Sequence, residues 1–250
     1  MVEESPMNAR DRILARIREA LTVPAPKPGS HGHAQEHDGG HGHGDSSAGT
    51  RPIGFRNRPV HVARAWLPQG GSTPAEHLAR FAAASAELKT DFRCVDSEAE
   101  AHAALRRIAD DEGWRRVASH HHAMTDAAVA ALGRPALFTD GGYPPDDLEA
   151  CEAGITTCDV LVAQTGSLVV NSRSSGGRAL SVLPPHHVVL ARRDQLVSDL
   201  TDAFQRVEAL HGQQWPSMIS LVTGPSRTGD IERILVLGAH GPKKLTVLMW

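Results

Sequence analysis

Apolar residues near the start of the chain fall on one helical face. Ile13, Leu14, Ile17 and Leu21 recur at helical spacing between Arg12, Arg16 and Arg18. Ser5-Pro6 supplies a capping residue and a proline at the first helical position. The pattern predicts an amphipathic helical arm over 1–22, stopped by the prolines of VPAPKPG. Its apolar face needs a surface to cover it and offers a route to self-association as a homo-oligomer. Periodicity then vanishes. Residues 23–57 are rich in Pro, Gly and His and carry too little apolar surface to offset ordering entropy, so they are expected to be a disordered linker.

Regular patterning returns in 58–250. VHVARAWL is a loose strand candidate. Thr73–Glu76 and Ser97–Glu100 have capping-box spacing and open helices carrying Leu78, Phe81 and Leu88, then Leu105 and Ile108. Strands are expected at Phe92–Val95, Trp114–Ser119 and Arg134–Thr139, with a short helix Thr125–Leu132 between the last two. Alternation of strand and helix implies a parallel sheet covered on both faces. Asp159–Gln164, Ser167–Asn171 and Val188–Ala191 follow as closely spaced strands, the first two joined by a tight Thr-Gly turn. A helix at Asp199–His211 places Leu200, Phe204 and Val207 on one face, and Ser217–Thr223 and Leu245–Trp250 read as final strands. The expectation is one mostly parallel α/β domain with an antiparallel element near its middle and a helical arm ahead of it.

Composition narrows the function classes. A hydrophobic content of 40% with 22% charged residues describes an ordinary globular chain of 250 residues. Net charge −3 and 4% aromatic residues argue against nucleic acid as a partner. No stretch approaches the roughly 20 apolar residues of a membrane helix. The charged N-terminus has no secretory pattern, and a cytoplasmic location is expected. Cys94, Cys151 and Cys158 form no C-x-x-C pair and no zinc or iron–sulfur spacing, so no metal site and no cofactor is expected in this chain.

Charge distribution supplies the chemical clue. No Asp or Glu occurs from Val160 to Arg193, yet Arg173, Arg178, Arg192 and Arg193 do. Within that stretch Gln164-Thr165-Gly166-Ser167 is a turn small enough for close backbone approach, and a Ser/Gly loop delivers Arg178, whose planar fork suits a carboxylate or phosphate. Downstream, TGPSRTGDIE adds Ser226 and Arg227 after a strand, without Walker or dinucleotide spacing. Gly238-Ala-His240-Gly-Pro242 then places a histidine in a glycine turn. These residues define a binding site for a small anionic ligand. A solvated loop with incidental arginines accounts for the same spacing.

QTGSLVV, RALSVLPPHHVVL, TGPSRTGDIE and LVLGAHGPKKLTVLMW, in that order, resemble the lactate-utilization (LUD) domain family. The arm ARDRILARIREAL ahead of a Pro-rich linker is similar to the C-type members of that family. The resemblance implies the fold of ribose-5-phosphate isomerase, glucosamine-phosphate deaminase and the CoA-transferases. It further implies a non-redox subunit working beside two iron–sulfur partner proteins in oxidising L-lactate to pyruvate. Where the family's first motif commonly opens with Glu, this chain has Gln164.

Two other readings of the residues remain open. A stand-alone isomerase or acyl/CoA-transfer enzyme needs a general base, for which His187 and His240 are the candidates. A metal-binding protein would use the five histidines from His31 to His43, with His120-His121-His122 as a second group.

Overall fold

The computed structural model of the chain describes residues 68–228, 236–238 and 240–250, all within the unit Arg58–Trp250. The helical arm, the linker and the strand expected at 60–67 lie outside the described residues. Among those described, no helix is long and apolar enough to cross a membrane.

Local chemistry sets the first elements. Helix α1 (Pro74–Leu88) starts with a complete capping box: Thr73 accepts from Glu76 N–H, and the Glu76 carboxylate accepts from Thr73 N–H. Strand β1 (Asp91–Cys94) follows, then α2 (Glu98–Asp111). Ser97 caps α2, but Glu100 reaches back to Asp96 N–H, one residue beyond the expected partner. Next come β2 (Val117–Ser119), α3 (Ala123–Leu132) and β3 (Ala136–Phe138). Helix α3 begins two residues before the expected start because the His122 ring accepts from Met124 N–H and serves as its cap.

Among the elements that escaped the pattern are a five-residue helix α4 (Pro145–Glu149) and strand β4 (Ala153–Thr157). Strands β5 (Val160–Val162), β6 (Ser167–Asn171) and β7 (His186–Ala191) come next, with a short 3-10 turn at Ala179–Ser181 ahead of β7. After β8 (Leu196–Val197), Asp199 caps α5 (Leu200–His211) through Thr201 and Asp202 N–H. The chain then forms β9 (Ile219–Val222), the short pair β10 (Arg227–Thr228) and β11 (Val236–Leu237), and β12 (Lys244–Met249).

Six strands form a parallel sheet in the order β1-β12-β7-β4-β2-β3. A second sheet, β8-β5-β6-β9, contains the expected antiparallel element: β6 runs antiparallel to both β5 and β9. Strand alternation divides the core between two faces. Val188 and Leu190 of β7 join Leu105, Ile108, Trp114 and Leu132 under α2 and α3. Val189 and Ala191 face the other way, toward Phe81 of α1 and Leu161, Leu168 and Val170 of the second sheet. Helix α5 covers the far side of that second sheet, where Ala203 and Val207 meet Val160, Val162 and Val169. Phe204 was expected on this packed face, but Ala203 takes the inward position and Phe204 is 56% exposed.

Candidate functional site

The six-stranded sheet changes winding direction between β2 and β4. From β2 the chain moves outward to β3, then returns to β4 on the opposite side of β2. At such a point the connections diverge and leave a crevice beyond the carboxyl ends of the strands. Here the crevice is a cleft of about 370 Å³ lined by Thr139, Asp140, Tyr143, Ser172, Arg173, Gly176 and Gly177.

The Ser/Gly loop of the acid-free stretch forms one wall, and hydroxyls at the strand ends hold it there. Thr157 Oγ1 donates to Ser174 O (2.8 Å), and Thr139 Oγ1 donates to Gly176 O (2.9 Å). Asn171 Oδ1 accepts from the N–H groups of Arg173 (2.7 Å) and Ser174 (2.9 Å), which curls the loop back on itself. Gly176 has φ +72°, and a Cβ there would lie 2.6 Å from His120 Cβ. Only glycine fits that turn.

Beneath the loop lies a buried polar cluster whose Asp159 and His211 none of the sequence motifs contained. Asp159 accepts from Ser174 Oγ (2.6 Å) on one oxygen, while its other oxygen meets Asn171 Nδ2 (2.5 Å) and His211 Nε2 (2.8 Å). Asp159 and His211 are both buried, and they connect the β4–β5 link, β6, the loop and α5. Two signals could have found them. Asp159 is an acid set into an apolar strand run, and His211 occupies an inward position of α5, one turn after Val207.

The histidine triplet divides into three roles. His120 is buried, and its Nε2 accepts from Thr157 N–H (3.3 Å); burial pushes its pKa down. His121 is exposed, stacked on Phe138 and paired with Asp126 at 3.0 Å. His122 caps α3. Among the described residues no group of three His, Cys, Asp or Glu side chains could hold a metal ion.

The candidate residues named in the sequence analysis fall into four places. Gln164, Thr165, Gly166 and Ser167 form the β5–β6 turn, seated against α1. Gln164 donates its amide to Pro68 O (2.7 Å), a bond that glutamate could not make. A Cβ on Gly166 would lie 2.9 Å from Ala84 Cβ, so this glycine permits close helix packing. Thr165 and Ser167 hydroxyls continue a chain to Thr223 at 2.8 and 2.7 Å.

Arg178 lies elsewhere. Ser167 and Asn171 stand at opposite ends of β6, roughly 13 Å apart at ~3.3 Å per residue, and the loop to Arg178 leaves from the Asn171 end. Arg178 is exposed and has no ion pair among the described residues, beside Gly177 of the cleft. Ser226, Arg227 and His240 form the third group. Ser226 Oγ accepts from His240 N–H (3.4 Å), and Arg227 and His240 are exposed.

His187 is sealed in the core. Its Nε2 meets Thr156 Oγ1 at 2.9 Å, its Nδ1 has no partner among the described residues, and burial pushes its pKa down to about 3. The unfolded chain takes up that proton near pH 6.5, while the folded chain resists it until about pH 3. Stability is therefore fully present above pH 6.5 and is lost as pH falls toward 3, by up to about 1.4 kcal/mol per unit. Urea unfolding from pH 7 to 4.5 should show this loss, and His187→Gln should flatten it. Equal slopes in both proteins would place the acid sensitivity elsewhere.

Comparison with known proteins adds a family. The LUD domain profile matches residues 145–249. Lactate utilization protein C of Shouchella clausii is 35% identical over 168 residues, covering 63% of this chain and 71% of that protein. The protein of the same name from Macrococcus caseolyticus is 37% identical over 131 residues, half of this chain and 57% of its own length. An uncharacterized protein of Neisseria meningitidis is 25% identical across 97% of this chain and 93% of its own length. Among solved structures, a DUF162 family protein from Deinococcus radiodurans superposes with TM-score 0.57 at 23% identity, covering 72% of this chain and 99% of that one. At that identity the likeness speaks to the fold alone. The matched segment contains Asp159, Asn171, the Ser/Gly loop, Arg178 and His211, and the chain belongs to the LUD-domain family.

Proposed function

We propose that this chain serves lactate utilization as a non-redox subunit that binds a small carboxylate, L-lactate or pyruvate, in the crevice beyond β2 and β4. The carrying observation is the loop itself: a Ser/Gly turn anchored at the winding switch by Thr139 and Thr157, with Arg173 lining the cleft and Arg178, which has no ion pair among the described residues, next in sequence to its lining Gly177. The names of the curated relatives support the lactate context. In this reading Arg178 supplies a planar two-donor fork, loop hydroxyls and N–H groups add neutral donors, and the Asp159–His211 pair keeps the loop in place. Two iron–sulfur partner proteins carry the electrons released when lactate becomes pyruvate, and this chain holds no cofactor of its own. We further assign the six-stranded body to the ribose-5-phosphate isomerase, glucosamine-phosphate deaminase and CoA-transferase group of folds. The mostly parallel sheet with its ligand crevice at a winding switch favours that assignment.

Titration of lactate, phosphate and CoA into wild type, Arg178→Lys and Arg178→Ala tests the site. Lactate should bind wild type, and the alanine variant should lose roughly ten- to hundredfold in affinity, the equivalent of one charge-assisted hydrogen bond. The lysine variant should retain part of it, because it keeps charge without the fork. Equal affinity in all three proteins, or none in any, removes the crevice as the carboxylate site. Lactate-dependent electron transfer by the chain co-purified with its native partners tests the subunit role separately.

A further inference from the structure

A second pocket opens at the opposite end of the six-stranded sheet. It has a volume of about 390 Å³ and lies at the amino ends of β1, β12 and β7. Two of the sequence motifs converge on it. Ser226 N–H donates to Pro242 O (2.8 Å) and Gly238 N–H donates to Ser226 O (2.9 Å), tying the TGPSR segment to GAHGPKK. Lys243 and Lys244 N–H both donate to Pro185 O, at 2.8 and 3.2 Å, which fixes that junction to the start of β7.

Charge in this pocket is unbalanced. Its two carboxylates are already engaged. Glu112 is held by Lys244 at 2.9 Å and by His186 at 3.0 Å, and Asp91 is held by Arg93 at 2.8 Å. Burial opposes the Glu112 charge, but the bonds from Lys244 and His186 outweigh it and keep the carboxyl below its ordinary range. Lys89, Arg227 and Lys243 also line the pocket, and none has an ion pair among the described residues. Among the described residues, therefore, three cations line one cavity without a carboxylate partner.

Glycines position these cations. A Cβ on Gly238 (φ +78°) would lie 2.3 Å from Lys243 Cγ, so the lysine stem rests directly on the glycine backbone. A Cβ on Gly224 (φ +86°) would lie 3.1 Å from Leu88 O and 3.6 Å from the Arg227 guanidinium, so Arg227 and the end of α1 meet over that glycine. Lys89 follows in the left-handed conformation (φ 65°), the one non-glycine residue with positive φ among those described. A single carboxylate would neutralise only one of the three cations. A diphosphate concentrates about three negative charges in a small volume, and the cavity leaves room for an organic body attached to it.

We infer that the pocket formed by Lys89, Arg227 and Lys243 at the amino end of the sheet binds the diphosphate group of a small organic molecule. The site is separate from the carboxylate crevice and does not depend on it. Inorganic pyrophosphate is the probe, titrated by calorimetry into the full-length protein at moderate salt, with inorganic phosphate and citrate as comparison arms. Pyrophosphate should saturate one site and bind more tightly than either comparison ion. Arg227→Ala and Lys243→Gln should each weaken it roughly tenfold or more, whereas Arg178→Ala should leave it unchanged. Glutamine preserves most of the stem over Gly238, so that variant separates lost charge from lost packing. Absence of saturable binding, indifference to both pocket variants, or loss in Arg178→Ala instead would overturn the assignment. Citrate binding as tightly as pyrophosphate would overturn the choice of ligand class.

Discussion

Asp159→Ala should destabilise the folded body by about 3–5 kcal/mol, the usual cost of removing one partner from a buried ionic cluster. The carboxylate accepts from Ser174 Oγ and Asn171 Nδ2 and pairs with His211, so the substitution takes an acceptor from three polar groups where water has little access, and leaves Asn171 Nδ2 only its bond to Ser174 Oγ (2.6 Å) and its contact with His211 Nε2 (3.3 Å). For a domain of this size that corresponds to a fall in thermal midpoint of roughly 6–20 °C. Calorimetry and urea titration at pH 7 measure it directly. Asp159→Asn should be milder, since one oxygen can still accept from Ser174. A double-mutant cycle with His211→Ala should return a coupling energy well above that of surface pairs. A loss below about 1 kcal/mol for the alanine variant would mean that the cluster is already hydrated. The same substitution should also weaken carboxylate binding, because Ser174 anchors the loop that ends at Arg178.

Gly154→Ala carries the second largest expected effect, although it adds a single methyl group. The new Cβ would lie 2.4 Å from Leu180 O and 3.1 Å from Pro184 Cγ. The first contact is with backbone, so no side-chain rotation relieves it. Either β4 or the 3-10 turn Ala179–Ser181 must move, and β4 is held between β2 and β7. Displacement of the turn, at a cost of about 3 kcal/mol, is the cheaper outcome. Arg178 immediately precedes that turn, so the variant should lose ligand affinity together with stability. Heteronuclear NMR should place the largest shifts in 172–184 rather than in β4. Shifts spread evenly along β4 would show that the sheet gives way instead.

Helices with caps were legible in the sequence because the signals are local. Thr73 with Glu76, Ser97 with its following acids, and Asp199 each announce a start that the structure keeps. Strand β4 was not legible. AGITT is short, begins with Ala-Gly and is buried on both faces, so it lacks both alternation and length. Phe204 shows the limit of periodicity at a sparse helix face, where Ala203 met the sheet instead. For the site, the acid-free run drew attention to the Ser/Gly loop, but spacing could not say which arginine meets which turn. Separation of the β5–β6 turn from Arg178 follows from strand length and pairing, which are tertiary facts. Asp159 and His211 stand 52 positions apart and belong to one cluster only once β5 and α5 are in place.

Strand β1 has a consequence for how the protein is made. It pairs with β12, and the contact between Asp91 and Thr246 joins residues 155 positions apart. At ribosomal rates of about 5–20 residues per second, β1 spends roughly 8–30 s without its sheet neighbour. During that interval Phe92 and an unpaired strand edge are available to other nascent chains. The flanking charges Asp91 and Arg93 discourage such pairing, as charged residues do on natural sheet edges. Chaperone demand during synthesis should therefore rise when those two charges are replaced by Thr and Val, even if the finished fold tolerates the change.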